Sequence, residues 1–394
     1  MSIKGKAYIM GAFEHPLRNA PDHSTPQLHA ECAKGALEDA GLSKDDIDGY
    51  FCAGDAPGFG GMSMIDYMGL TNVRHMDSTE TGGSSYILHV NHAAQAIAEG
   101  KCKVALITLA GRPRQAQGGR WGGGGGGGLS DGPPENGFEN IYGGSTHNTY
   151  GMCAMRHMHE YGTTSEQLAW IKVAASHHAQ WNEHAMLRDV VTVEDVLNSP
   201  MISDPLHRLD CCVVSDGGGA LIMTTPEIAR SLNRPKVKVI GGGEAPKGPK
   251  GGRDLDLTHS GAVWSGPIAF EEAGVKPSDM KYASIYDSFT ITVLMQLEDL
   301  GFCEKGQGGK FVADGNLISG VGKLPFNTDG GGLCNNHPTN RGGITKVIEA
   351  VRQLRGEAHP KVQVSNCDLA IAHGTGGSLG TRHGSATVIM EREA

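Results

Sequence analysis

Two segments far apart in the chain carry the same local grammar, and this duplication constrains the fold more than any other feature. Glu38-Asp-Ala-Gly-Leu-Ser-Lys-Asp-Asp-Ile-Asp-Gly-Tyr50 and Glu271-Glu-Ala-Gly-Val-Lys-Pro-Ser-Asp-Met-Lys-Tyr-Ala283 both read as a helix end, an Ala-Gly stop, an acidic turn and a strand entry. Glycine stops a helix because it takes the left-handed conformation without a Cβ penalty, and self-similarity within a chain marks a recurring structural unit. At 394 residues the chain exceeds what one compact core usually holds. The repeat therefore predicts two similar α/β halves, residues 1–232 and 233–394, meeting near Asn233-Arg-Pro235.

The rest of the chain follows the same alternation. Leu28 to Ala40 places apolar residues on one helical face, Ser43 to Asp46 resembles a capping box, and Gly49 to Ala53 leads out as a strand. Tyr86 to Ala98 reads as a second helix, closed by Gly100 and followed by the apolar run Val104 to Leu109. Further strands are expected at Ala220–Thr224, Val237–Ile240, Tyr282–Ile285 and Leu369–Ala372. Helices alternating with apolar strands point to a mostly buried α/β sheet. Residues from about 111 to 200 break the pattern and read as a cap inserted over the N-terminal half. There Trp121 precedes seven glycines, Gly122 to Gly128, expected as a mobile surface loop. Thr164-x-x-Gln167 then caps a polar, histidine-rich helix expected to run to about Ala185.

Composition excludes several function classes. The 59 glycines are roughly twice the usual share of about 7%, yet no G-x-y period exists and 39% hydrophobic residues can fill real cores. A net charge of -9 with both signs interspersed argues against nucleic acid. No apolar stretch of about 18 residues suggests a membrane span, and the first residues lack a signal-peptide plan, so a cytoplasmic protein is expected. The nine cysteines form no C-x-x-C, which predicts free thiols and no structural zinc. His157-x-His159 and His177-His178 have no further donor at ligand spacing, so no metal ligand is expected.

Four segments place polar residues where chemistry is possible. Glu80-Thr-Gly-Gly-Ser-Ser85 precedes a helix, whose N-terminal N–H groups stabilise developing negative charge; it equally reads as a glycine turn with a serine cap. Tyr286-Asp-Ser-Phe289 follows an apolar strand, where α/β sheets hold ligands; it equally reads as a packed tyrosine beside an N-cap aspartate. Asn327 to Pro338 is a glycine-rich loop ending in His337-Pro338, with Cys334 near enough in sequence to share its pocket or to be merely buried. Ala372-His-Gly-Thr-Gly-Gly377 sets His373 at a strand end as a second proton-handling candidate.

These segments, together with Ala93-Ala-Gln-Ala-Ile-Ala-Glu-Gly100, Ile202 to Gly217 and Leu297-Glu-Asp-Leu-Gly-Phe302, resemble the thiolase superfamily along nearly the whole length. The similarity is to its sterol-carrier-protein thiolase and lipid-transfer-protein-like branch. It implies a five-layered αβαβα sandwich of two βαβαβαββ halves with an inserted cap loop domain. It also implies acyl-CoA thioester substrates, with no covalently bound cofactor, and a homodimer or larger assembly.

The departures from the family pattern are as informative. Counting back from Gly100, the nucleophilic cysteine of condensing thiolases falls at Gly83, with Ser84 and Ser85 beside it. Where the branch carries His-Asp-Cys-Phe this chain has Tyr286-Asp-Ser-Phe289, so Ser288 replaces an acid/base cysteine. The oxyanion-hole histidine persists as His337 after Asn336, while His373 takes the remaining cysteine position. A glycine cannot hold an acyl group, and Ser84 or Ser85 could do so only with an adjacent base. The resemblance then points to the thiolase-like aldolases that shorten steroid side chains, which cleave a β-hydroxyacyl-CoA into acetyl- or propionyl-CoA and a ketone or aldehyde. On that reading Tyr286 or His373 is the base, Asp287 orients its neighbours, His337 and the backbone at Gly83 hold the thioester oxygen, and Glu80, Ser84, Cys334, Asn336 and Gly376 line the substrate. A small OB-fold and zinc-ribbon partner protein is also implied. The alternatives are a thiolase-type acyltransferase using another residue, with Cys334 the thiol nearest a catalytic loop, and a non-catalytic acyl-CoA or lipid-binding subunit.

Overall fold

The computed structural model describes residues 2–115, 145–248, 256–338 and 342–393, so Trp121 and the glycine run Gly122 to Gly128 lie outside the described residues. In the first half the strands are β1 Tyr8–Glu14, β2 Gly49–Phe51, β3 His75–Asp77, β4 Val104–Gly111, the hairpin β5 Met201–Ser203 and β6 Leu206–His207, and β7 Gly217–Thr224. The second half has β8 Val237–Lys247, β9 Tyr282–Ile285, β10 Leu369–Ser378 and β11 Thr381–Arg392. Helices of the first half are α1 Thr25–Ala40, α2 Gly61–Met68, α3 Ser85–Ala98, α4 Thr146–Tyr161, α5 Ser165–Ala179, α6 Val193–Leu197 and α7 Pro226–Ser231. Those of the second are α8 Ala262–Ala273, α9 Thr290–Asp299, α10 Gly308–Val312, α11 Gly331–Cys334 and α12 Gly343–Arg355.

Nine strands run in the order β3-β2-β4-β7-β1-β8-β11-β10-β9. The two half-sheets join through only two residue pairs, Tyr8↔Lys238 and Ile9↔Val237, which leaves room for helices between them. Strand alternation does the rest. On β10 and β11, Ala370, Ala372, Ala386 and Val388 share a core with α3 and α12, while Ile371 and Ile389 join the core beneath α8 and α9. On the first half-sheet, Leu109, Leu221 and Met223 face the central helices, and Met10, Leu106, Ala220 and Ile222 face α1. The layers are thus α1, sheet, α3 with α12, sheet, α8 with α9, the five-layered αβαβα sandwich expected from the sequence.

The internal repeat is structural. α1 ends at Gly41 (φ 72°) and α8 at Gly274 (φ 70°), both left-handed. Each is followed by a single 3₁₀ turn, in which the Asp46 or Asp279 carboxylate accepts the Ser43 or Lys276 backbone N–H at 2.8 Å. Each then enters a short strand, β2 or β9, paired in parallel with β4 or β10. The division proposed at residues 232/233 falls between α7 and β8.

Three expectations change. The insertion packs on the second half rather than over the first: Tyr150, Ala154, Leu168, Ile171 and Ala175 of α4 and α5 share a core with Ile291 and Leu294 of α9. The helix from Ser165 ends at Ala179, not Ala185, because the chain leaves it to bond the α11 loop; Leu187 N–H donates to the Cys334 carbonyl at 2.9 Å. β10 continues past Ala372 to Ser378, so His373 sits within a strand, paired with Thr387, rather than at its end. Among the described residues no helix is long and apolar enough to cross a membrane.

Candidate active site

The loop after β9 and the loop after α11 converge on one tyrosine and one histidine. Tyr286 Oη lies 2.8 Å from His337 Nε2, with the rings edge to face at 5.5 Å. Both side chains are buried, with 4% exposure each. Tyr286 is fixed from behind, its N–H donating to the His373 carbonyl at 3.0 Å and its carbonyl accepting from Gln296 Nε2 at 2.7 Å. Burial drives both members to their neutral forms. It pushes Tyr286 well above its ordinary value and lowers His337 to about 4, despite the opposing pull of Asp287.

The floor of this pair is Gly83, in the 3₁₀ turn Gly82–Ser84 that opens α3. A Cβ at Gly83 would overlap the Thr375 carbonyl oxygen and would come within 2.5 Å of Tyr286 Oη. The phenol therefore fills the space in which a side chain at position 83 would stand. Gly376 presses on the same turn, since a Cβ there would overlap the Thr81 carbonyl and come within 2.5 Å of Gly83 N. Glycine is required on both sides of this contact because two backbones meet with no room for a methyl group.

Beneath the pair lies a buried polar frame. Asp287 does not cap α9, as its place in sequence suggests. Its Oδ1 accepts Gly332 N–H at 2.8 Å, its Oδ2 accepts Leu333 N–H at 3.1 Å, and Lys346 Nζ of α12 donates to Oδ1 at 2.8 Å. Asp287 therefore orients α11 and the His337 loop. Burial disfavours the Lys346 charge, but Asp287 and Asp329 outweigh it and raise its pKa. His337 N–H donates to Ser215 Oγ at 2.8 Å, Ser215 Oγ to Asn336 Oδ1 at 2.6 Å, and Asn336 Nδ2 to Glu14 Oε1 at 2.9 Å. Against its burial, Arg18 and Arg352 hold Glu14 down at about 2.

Several expected site residues take other roles. β-Strand alternation turns His373 away: Gly374 and Gly376 face the Gly83 turn, so the His373 side chain lies on the opposite face, where Nδ1 meets Thr387 Oγ1 at 2.8 Å. Burial lowers it to about 3. Cys334 faces α5, with Lys172 Nζ donating to its Sγ at 3.1 Å. Glu80 closes its own turn, accepting Gly82 N–H at 2.6 Å and Gly54 N–H at 2.7 Å. Ser84 Oγ donates to the Thr81 carbonyl at 2.9 Å, and Asn336 spends both amide atoms inside the frame. Ser288 pairs with Thr292 Oγ1 at 3.1 Å.

Sequence reasoning missed Ser215, Gln296, Lys346 and Cys212. Lys346 carried no such signal, because on α12 it shares the face of Glu349 and Gln353, opposite Ile344, Val347, Ile348 and Val351, where a solvated lysine is the ordinary reading. Cys212 displaces Cys334 as the thiol of interest: its N–H donates to the Ser288 carbonyl at 2.9 Å, and it lies near enough to raise the Tyr286 pKa.

Comparison with known proteins agrees with this architecture. Residues 243–392 match the family described as Thiolase C-terminal domain-like. The chain is 34% identical over 371 residues to a steroid side-chain-cleaving aldolase of Thermomonospora curvata, covering 90% of this chain and 91% of that protein. It is 32% identical over 386 residues to an acetyl-CoA acetyltransferase of Methanothermobacter thermautotrophicus, covering 95% and 97%. Among solved structures, the Ltp2-ChsH2(DUF35) aldolase superposes with a TM-score of 0.87 at 30% identity, covering 99% of this chain and 98% of that one.

Proposed function

The chain belongs to the thiolase superfamily, in its sterol-carrier-protein-thiolase-like branch, and we propose that it is a carbon–carbon lyase cleaving β-hydroxyacyl-CoA thioesters by retro-aldol chemistry. One observation carries this reading: the Tyr286 hydroxyl, paired with His337, stands over Gly83 where acyl transfer would need a thiolate.

A neutral Tyr286 donates to a neutral His337 Nε2 at rest. When substrate enters, its β-hydroxyl passes a proton to Tyr286 Oη as the phenolic proton moves to His337. The Cα–Cβ bond breaks, Cβ–O becomes a carbonyl, and the electron pair is held as the enolate of the departing thioester. The backbone N–H groups of the turn opening α3 stabilise that oxyanion. The pair then returns its proton to Cα, releasing acetyl- or propionyl-CoA and a ketone or aldehyde. Atoms and electrons balance without an oxidant or a second substrate. The likeness to a steroid side-chain-cleaving aldolase supports a steroid acyl group. The likeness to the Ltp2-ChsH2(DUF35) aldolase supports a hetero-oligomer with a DUF35 partner.

The direct test is mass spectrometry of products from a panel of β-hydroxyacyl- and β-ketoacyl-CoA thioesters. Aldehyde or ketone with a shortened acyl-CoA is expected; CoA-dependent thiolysis instead would make the enzyme a transferase, the second reading that the acetyltransferase relative favours. Cys334→Ala and Cys212→Ala separate the two. Each is expected to keep turnover within about threefold, whereas loss of turnover together with an acyl-enzyme mass in the native protein would sink the lyase assignment.

The pH profile offers an independent check. A base must be unprotonated, and His337 is lowered to about 4. The acid limb of kcat/KM is thus expected near pH 4 rather than near the ordinary histidine value of about 6.5. Tyr286 is raised above its ordinary value, so no alkaline limb from it is expected below about pH 10. A limb at about 6.5 would mean a solvated histidine and no buried pair.

A further inference from the structure

Where β3 meets α3, three metal-ligating side chains converge outside the reaction centre. Asp77 ends β3, and His89 and His92 stand three residues apart on α3, hence on one helical face. One oxygen of Asp77 is already used: Oδ1 accepts Thr79 N–H at 3.0 Å and Thr79 Oγ1 at 2.7 Å. The other, Oδ2, lies 2.5 Å from His92 Nδ1 and 3.8 Å from His89 Nδ1. All three donor atoms fall within 4.8 Å of one another.

An ion pair between Asp77 and His92 accounts for two of these residues and leaves the third unexplained. His89 has no exposure, and beyond the Thr79 backbone beside it neither ring nitrogen meets a partner at good hydrogen-bond geometry. A buried unsatisfied polar group is costly, so native proteins rarely keep one without a ligand to meet it. Tetrahedral zinc with bonds of about 2.1 Å holds its donor atoms about 3.4 Å apart, a value lying between the two separations from Asp77 Oδ2. The two separations from Asp77 Oδ2 each differ from that spacing by under about 1 Å. The surroundings also match a metal site. His92 Nε2, on the far side of the ring, lies 3.2 Å from Glu244 Oε2 on β8, the carboxylate–histidine arrangement that orients metal-bound imidazoles. His92 and Asp77 are 24% and 21% exposed, which gives an ion a path inward.

We propose that Asp77, His89 and His92 bind one divalent transition cation of the zinc type, with solvent completing the coordination and Glu244 supporting from behind. The ion ties β3 and, through Glu244, β8 to the helix whose N-terminus forms the reaction floor. Its role is structural. Sequence spacing did not suggest it, because His89-x-x-His92 gains its carboxylate from a separate element.

The test uses the full chain, free of any histidine tag, stripped with a chelator and titrated with Co²⁺. One equivalent should bind with the visible d–d bands of a four- or five-coordinate nitrogen/oxygen site and be displaced by Zn²⁺. Zinc should also raise the Tm. Both signals should vanish in His89→Gln and in His92→Gln, the second a partly exposed position whose change leaves the fold intact. Glu244→Gln should weaken binding about 10–100-fold. No stoichiometric binding, binding retained in His92→Gln, or a thiolate charge-transfer band from cysteine ligation would each overturn the proposal.

Discussion

Tyr286→Phe is expected to lower kcat for β-hydroxyacyl-CoA cleavage by about 10²–10⁴-fold, the range for loss of a positioned acid–base group. The change removes one oxygen and keeps the ring that fills the space above Gly83, so the packing between β9, the Gly83 turn and His337 persists. Affinity for a CoA thioester should stay within about threefold, because nothing assigned to thioester binding is altered. That split between kcat and binding distinguishes a proton-transfer role from a structural one. Circular dichroism establishes that the fold is intact, and single-turnover kinetics give the chemical step. Retention of more than about a tenth of native activity would remove Tyr286 from the chemistry. The other base candidate, His373, could not take its place, since its side chain projects from the opposite face of β10 and pairs with Thr387.

Lys346→Met is expected to destabilise the protein by about 3–5 kcal/mol, the range for breaking a buried ion pair by removing one partner. Lys346 and Asp287 are both buried, 2.8 Å apart, and Asp287 keeps only two backbone donors once the ammonium is gone. Urea denaturation followed by fluorescence measures the loss. The double variant Lys346→Met/Asp287→Asn should recover part of it, because no uncompensated charge then remains. Equal stability of single and double variants would show that the pair does not hold the frame. Activity should fall further than stability alone explains, since Asp287 holds Gly332 and Leu333 of α11, five and four residues ahead of His337.

Both predictions fall on residues whose importance was only partly visible in the sequence. His337 stood out because a histidine held by glycines and a proline has few structural uses, and Tyr286 because it follows an apolar strand, where α/β sheets hold ligands. Asp287 was singled out for the right loop and the wrong partner: a residue at the mouth of α9 reads as its cap, but the carboxylate reaches α11 across the site. His373 misled because a strand end cannot be placed by pattern alone. Extending β10 through Ser378 set the side-chain parity, and a strand's parity decides which face every residue meets. Cys334 was judged by its distance along the chain, whereas Cys212 reaches the Tyr286 loop through a contact between remote segments.

The sequence by itself determined the elements and their duplication. Ala-Gly stops, capped acidic turns and apolar strand runs are local chemistry, so the repeated unit and the layered α/β class could be read along the chain, while the missing thiol at Gly83 followed from the resemblance to thiolases. Only the tertiary structure decided which side chains share a space. The phenol over Gly83, the Lys346–Asp287 pair and the Asp77–His89–His92 corner each join residues from separate elements, and neither spacing nor composition encodes such meetings. Backbone preferences act over a few residues, whereas the packing of layers sets contacts between positions remote in the chain.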